Sequence, residues 1–340
     1  MGKLVCFGEL MMRLNPEGYG RLVQADRLEV SFAGGEANVA VDASQLGMET
    51  SYVTKLPDQE LGRSAANALR RFGVDTDNIV YGGPRLGIYY VEKGASQRPS
   101  KVIYDRAGSS VSLAQPGDFD WERILDGADW FHFTGITPAL GGCLPRICME
   151  ACETAKRKQI MVSCDLNYRR KLWSRQEAGK VMGELMPHVD VCIANEEDMA
   201  DVFGIYAGDS DIEGGSLDVD GYREAAQEMS ERFHLSHVAV TLRKSLSASR
   251  NLWLGMLYRE GKAFFSREYD MQIVDRVGGG DSFAAGLIYA LYKAYEPQRA
   301  VEFAVAASCL KHTIEHDFNL VSLAEVEALA DGKGSGRVQR

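Results

Sequence analysis

Short apolar runs rich in β-branched and aromatic residues alternate along this chain with stretches whose apolar residues recur at helical spacing. That alternation is the mark of a doubly wound α/β fold, a mainly parallel sheet flanked by helices. Strands are expected at 4–7, 130–134, 160–165, 189–194 and 237–241. Several of these runs end at a small or polar residue, namely Gly135, Asp165, Asn195 and Thr241. In open α/β sheets the ligand crevice lies just beyond the carboxyl ends of the strands, so chemistry is expected at those positions. A chain of 340 residues can bury a large core, and residues 1–330 are read as one such unit.

Two regions break the rhythm. Residues 84–110 read as a strand, a polar turn and a second strand. With the segment 10–32 they suggest a small β-sheet lid over the crevice; an ordinary surface hairpin is the alternative. Residues 207–221 are acidic and glycine-rich without the full pattern of a calcium loop, which predicts a solvated loop. The tail 331–340 lacks apolar residues and is expected to fray.

The formal net charge of -10 argues against a nucleic-acid or anionic-membrane surface, both of which need a basic patch. No apolar run approaches the ~18 residues of a membrane span, and no secretory leader is recognisable, so a cytoplasmic location is expected. The seven cysteines lack paired zinc spacing and read as reduced core thiols.

The segment Asp275-Arg276-Val277-Gly278-Gly279-Gly280-Asp281-Ser282-Phe283 runs three glycines into a helix expected to begin near Asp281. Glycine backbone and a helix amino terminus together form an anion site suited to a transferring phosphoryl group. Asp281 beside it is a candidate general base, with a plain helix cap as the alternative. No Walker pattern and no dinucleotide fingerprint is present, so Gly278, Gly279 and Gly280 are the candidate phosphate cradle. A second glycine-led helix starts at Gly34 and Gly35, and Asn38 within it can hydrogen-bond a polyol.

These two segments, in this order, resemble the paired signatures of the PfkB (ribokinase-like) sugar kinases. The resemblance covers nearly the whole chain and implies transfer of the ATP γ-phosphoryl to a sugar hydroxyl with Mg²⁺. Within the family the chain is most similar to members acting on 2-keto-3-deoxygluconate, through Gly87-Ile88-Tyr89, Tyr104-Asp105-Arg106, Gly135-Ile136-Thr137-Pro138 and Asp165-Leu166-Asn167-Tyr168-Arg169. It implies that Gly34, Gly35, Asn38, Tyr89, Tyr104, Arg106, Arg169 and Asp317 surround the sugar, with Asp281 as base. Arginine is suited to a substrate carboxylate, which it can grip in bidentate fashion. Nucleotide contacts would come from Asn195, Thr241, Gly278, Gly280, Ser308 and His312.

Asn195-Glu196-Glu197-Asp198 matches an Asn-x-x-Glu element except at its end. It leaves Asp198, or Glu197 through water, to organise Mg²⁺, with Glu196 as a further alternative. Asp275 is a candidate for a monovalent cation such as K⁺, as in relatives. Arg276 stands where relatives carry a small or β-branched residue, and 241–250, read as a loop, lacks the glycines usual after Thr241. A homodimer or higher homo-oligomer through lid sheets is expected by analogy. The alternative substrates are fructose and 5-keto-2-deoxygluconate. The alternative class is a catalytically silent sugar-binding protein.

Overall fold

The computed structural model describes residues 2–195, 197–208 and 218–334. Most of the acidic stretch, Glu196 and the end of the tail therefore lie outside the described residues. The acidic stretch closes on a helix start: the Asp218 side chain accepts a hydrogen bond from Gly221 N (2.9 Å), capping the helix Val219–Phe233.

Among the described residues a ten-stranded sheet forms the core. Seven strands are parallel, in the spatial order His237–Ser247, Val191–Asn195, Met161–Asp165, Trp130–Thr134, Lys3–Phe7, Glu49–Leu56 and Ile79–Tyr81. Arg250–Arg259 adds antiparallel at the far side and carries Lys262–Phe265 and Tyr269–Gln272. The expected strands are present. The exception in extent is 237–241, which continues to Ser247 because Arg250–Arg259 supplies a second ladder. The segment read as a loop after Thr241 is therefore mostly strand.

Alternate residues of Lys3–Phe7 face opposite sides of the sheet, as the pleat requires. Val5 and Phe7 join one buried core with Phe131 and Phe133, while Leu4 and Cys6 join the other with Trp130 and Phe283. The chain enters at Lys3–Phe7 in mid-sheet, first builds toward Ile79–Tyr81, then returns to the opposite side at Trp130–Thr134. The strand order thus reverses between Phe7 and Thr134, the position where a ligand crevice is expected.

A separate four-stranded sheet has the order Glu29–Ala33, Met11–Asn15, Gly87–Glu92 and Lys101–Asp105. It is the β-layer anticipated from 10–32 and 84–110. Met11, Ala33, Tyr89 and Val91 form its own small core. Arg13 of this sheet, which has no exposed surface, ties it to the segments beside the glycine run. The Arg13 guanidinium donates to Asp317 Oδ1 and Asp275 Oδ2, both at 2.5 Å. Burial opposes its charge, but these two carboxylates reverse the balance and hold the guanidinium protonated.

Arg13→Met should leave Asp275 and Asp317 buried without their partner and destabilise the fold by about 3–5 kcal/mol, read from denaturant unfolding. A loss no larger than the roughly 0.5 kcal/mol of a surface substitution would show that the clamp does not tie the sheets together.

Candidate active site

Two cavities meet beyond the carboxyl ends of the parallel strands. The larger, of about 410 Å³, is walled by the glycine run, Thr241, Asn195 and His312. The smaller, of about 80 Å³, lies under the four-stranded sheet against Gly34, Gly35, Tyr89 and Asp317. Asp281, Arg169, Asn167, Tyr104 and Val277 line both. The residues singled out by sequence are therefore gathered into one place, apart from three considered below.

The helix Gly279–Tyr292 begins two residues earlier than expected, with Gly278 as its N-cap in the left-handed conformation (φ 89°) that favours glycine. A Cβ on Gly278 would also lie 2.1 Å from the Asp317 carbonyl oxygen. Asp281 is the third residue of this helix and makes no capping bond. Its Oδ2 instead accepts from Asn38 Nδ2 at 2.6 Å, so the cap alternative fails. Burial pushes the Asp281 carboxyl up to about 7; the Asn38 hydrogen bond opposes this, the negative charges of Asp317 and Glu36 reinforce it, and Arg169 pulls it back. A carboxylate so raised is poised to take a proton near neutrality.

The second glycine-led helix, Gly35–Gln45, is set by close approach: a Cβ on Gly34 would lie 2.0 Å from the Glu9 carbonyl oxygen. Glu36, buried in its first turn, accepts from Thr134 N (3.0 Å), Thr134 Oγ1 (2.8 Å) and Thr137 Oγ1 (2.6 Å). It locks the helix to the end of Trp130–Thr134 and so aims Asn38 at Asp281. Tyr89 donates to Asp317 Oδ2 at 2.7 Å and stacks on Tyr104 across the ladder (6.0 Å). Arg106 lines the smaller cavity and is held by Glu9, its Nε donating to Oε2 at 2.7 Å.

Three placements correct the sequence reading. Ser308 is fully buried, outside both cavities, and donates to the Gly279 carbonyl at 2.7 Å; it shapes the glycine run from behind. Asp275 also lies outside both cavities, its carboxylate engaged by Arg13 and by Val277 N (3.1 Å). That environment does not fit a monovalent ion on its carboxylate. Glu197 is exposed, whereas Asp198 is buried on the cavity wall and accepts from Tyr168 N (3.1 Å) and Asn195 N (3.0 Å).

Two other residues carry no assigned role in the sequence reading, although Asp165 is among the strand ends where chemistry is expected. Asp165 lies in the larger cavity facing Asp198 and Asp281; burial first, then those two charges, raises it well above the carboxylate range. Arg276, passed over as a departure, projects into the same cavity with Nε and Nη2 buried and unpartnered among the described residues. Burial and then the neighbouring Arg243 charge lower its pKa. These unpartnered Arg276 nitrogens, beside a glycine-led helix start, call for an anion.

Comparison with known proteins places the fold among sugar kinases. Residues 1–315 match the model of the pfkB family carbohydrate kinases. The solved 2-dehydro-3-deoxygluconokinase of Thermotoga maritima superposes with a TM-score of 0.94 at 51% identity, covering 98% of this chain and 100% of that one. The 2-dehydro-3-deoxygalactonokinase of Haloferax volcanii is 34% identical over 98% of each chain. A structure from E. coli assigned to ribokinase II, in complex with ATP and Mg²⁺, shares the fold at a TM-score of 0.79 and 17% identity, covering 98% of this chain and 100% of that chain.

Two aspartates, Asp281 and Asp42, are pushed up to about 7. A ¹³C carboxyl NMR titration should show both midpoints near neutrality, one of them absent in Asp281→Asn. Asn38→Ala should move that midpoint higher, since the Asn38 bond favours the ionised form. An Asp281 titrating in the ordinary carboxylate range would refute the enclosure described.

Proposed function

The chain belongs to the pfkB family of carbohydrate kinases, and on that premise we propose that it phosphorylates the terminal hydroxyl of 2-keto-3-deoxygluconate with ATP, giving the 6-phospho sugar acid. The observation that carries the reading is the shared wall: Asp281 borders a larger and a smaller cavity at the amino end of a glycine-led helix. The sugar sits in the smaller cavity under the lid, and the nucleotide in the larger one. Asp281 takes the hydroxyl proton as the oxygen bonds to the γ-phosphorus and the bond to ADP breaks. Backbone N–H groups of the first helical turn, which have no partner within a helix, face the charge that develops on the phosphoryl oxygens. Arg276, with Arg243, balances the polyphosphate.

Mg²⁺ neutralises phosphate charge when bound. Asp165 and Asp198 are the residues that would hold it, directly or through water. Burial and neighbouring carboxylates raise both, a strain that a divalent cation relieves. Arg169, on the boundary between the cavities, is assigned to the substrate carboxylate, with Arg106 beside it. Glu9 already balances Arg106, so Arg169 is the stronger recogniser.

The proposal includes a cytoplasmic setting, supported by seven free cysteines, six of them buried. It also includes association through the lids, whose Val30 and Ile103 are well exposed; sedimentation as a monomer would remove that part.

Asp281→Asn should retain ATP binding by calorimetry while kcat falls about 10²-fold or more, the scale of losing a general base. Because the pKa is raised to about 7 and the base acts deprotonated, wild-type kcat/KM for the sugar should climb with pH below about 7 and level off above it. Near-normal turnover in Asp281→Asn would sink the general-base role.

The substrate assignment is tested by a panel of 2-keto-3-deoxygluconate, its C4 epimer, 5-keto-2-deoxygluconate and fructose. Arg169→Leu should cost the acid sugars about 1.5–3 kcal/mol, roughly 10- to 150-fold in kcat/KM, with little change in KM for ATP. Fructose used as well as the acids by the wild type would overturn carboxylate recognition. Preference for the C4 epimer would move the assignment to the galactonate series.

A further inference from the structure

Lys311 is the last residue of the helix Pro297–Lys311 and has no exposed surface, an uncommon position for an ammonium group. Its Nζ lies 3.5 Å from the Asp275 carbonyl oxygen and 3.2 Å from that of Ile314. Its Cε passes beneath the phosphate cradle: a Cβ on Gly278 would lie 3.1 Å from it. The charged groups facing it are the carboxylates of Asp275, Asp317 and Asp42, and one further cation, Arg13. Burial lowers its pKa, and the three carboxylates resist that fall.

The ammonium therefore sits between two loops. One, 273–278, leads into the glycine run. The other, 312–317, ends at Asp317, whose carbonyl Gly278 approaches and whose carboxylate Arg13 and Tyr89 hold. A compact univalent cation gripping backbone carbonyls of both loops does what a bound K⁺ would do, since K⁺ and ammonium are similar in size and both seek oxygen dipoles. The carboxylate that the sequence offered to such an ion, Asp275, is turned to Arg13 instead.

We infer that Lys311 is a built-in monovalent cation: it ties the loops on either side of the phosphate cradle, so that phosphoryl transfer by this chain needs no K⁺, Na⁺ or NH₄⁺. Lys311 is a positioning residue. It acts on the reaction through Gly278 and its neighbours.

The test compares KCl with tetramethylammonium chloride, a cation too bulky for the site, at one ionic strength. It measures ADP formation with 2-keto-3-deoxygluconate and the melting temperature of the protein without substrates. Wild type should turn over and melt alike in both salts. Lys311→Ser, which opens a space among the carbonyls, should lose tenfold or more in kcat in tetramethylammonium. KCl or NH₄Cl should restore part of that loss saturably and raise the melting temperature, because an ion that binds only the folded state stabilises it. Lys311→Met, which fills the space without charge, should be slow in both salts.

Activation of the wild type several-fold by K⁺ would overturn the inference, and this comparison stands even where Lys311→Ser does not fold. A folded Lys311→Ser indifferent to the salt in both rate and melting would overturn it as well. The kinetic arm rests on the kinase reading and the melting arm does not. Loss of sugar phosphorylation with the melting pattern intact would therefore fail that reading and leave this one standing.

Discussion

Arg13, buried between Asp275 and Asp317, is the contact on which the rest of the site depends. It comes from the small sheet, and its partners lie in the segments beside the glycine run. A buried guanidinium without carboxylates, or two buried carboxylates without a guanidinium, would each be strongly unfavourable. The two sheets therefore hold one relative position near the phosphate cradle. Tyr89 adds a third bond to Asp317, so the sugar side of the cavity is fixed by the same residue whose backbone carbonyl borders the glycine loop.

Around this clamp the charges are arranged in opposition. Asp281, Asp165, Asp198 and Asp42 are all raised by burial, and further by nearby acids: Asp317 and Glu36 at Asp281, Asp198 and Asp281 at Asp165, Asp201 at Asp198 and Asp281 at Asp42. Arg169 works against that trend at Asp281, Asp165 and Asp198. Within the larger cavity two cations, Arg243 and Arg276, stand close enough for one to lower the pKa of the other. Separation of a raised acid from the Arg276 guanidinium by a helix start suits proton removal on one side and anion binding on the other.

Much of this was legible in sequence, for definite reasons. Buried parallel strands read as apolar runs, so 130–134 was located to the residue. The glycines were legible because Gly34 and Gly278 stand where a Cβ would strike a carbonyl oxygen. What was hidden depends on distant partners. Arg13 sits in Met-Met-Arg-Leu-Asn, where the alternation suggests an outward charge, and nothing local points to residues 275 and 317. Lys311 looks like an ordinary basic residue ending a helix. Thr241 reads as a strand end because the apolar run closes there on a polar residue; the antiparallel partner that extends the strand follows later in the chain.

The sequence separations at the site bear on how the protein is made. Asn38 meets Asp281 across 243 residues, and Arg13 meets Asp317 across 304. As the chain leaves the ribosome, the small sheet is synthesised almost entirely before either carboxylate that neutralises Arg13 exists. Contacts of such span are slow to close, and until they do the lid carries an uncompensated cation that favours water over burial. Competence for catalysis is thus withheld from the earlier growing intermediates and arrives late, when the segments carrying Asp275, Asp281 and Asp317 dock.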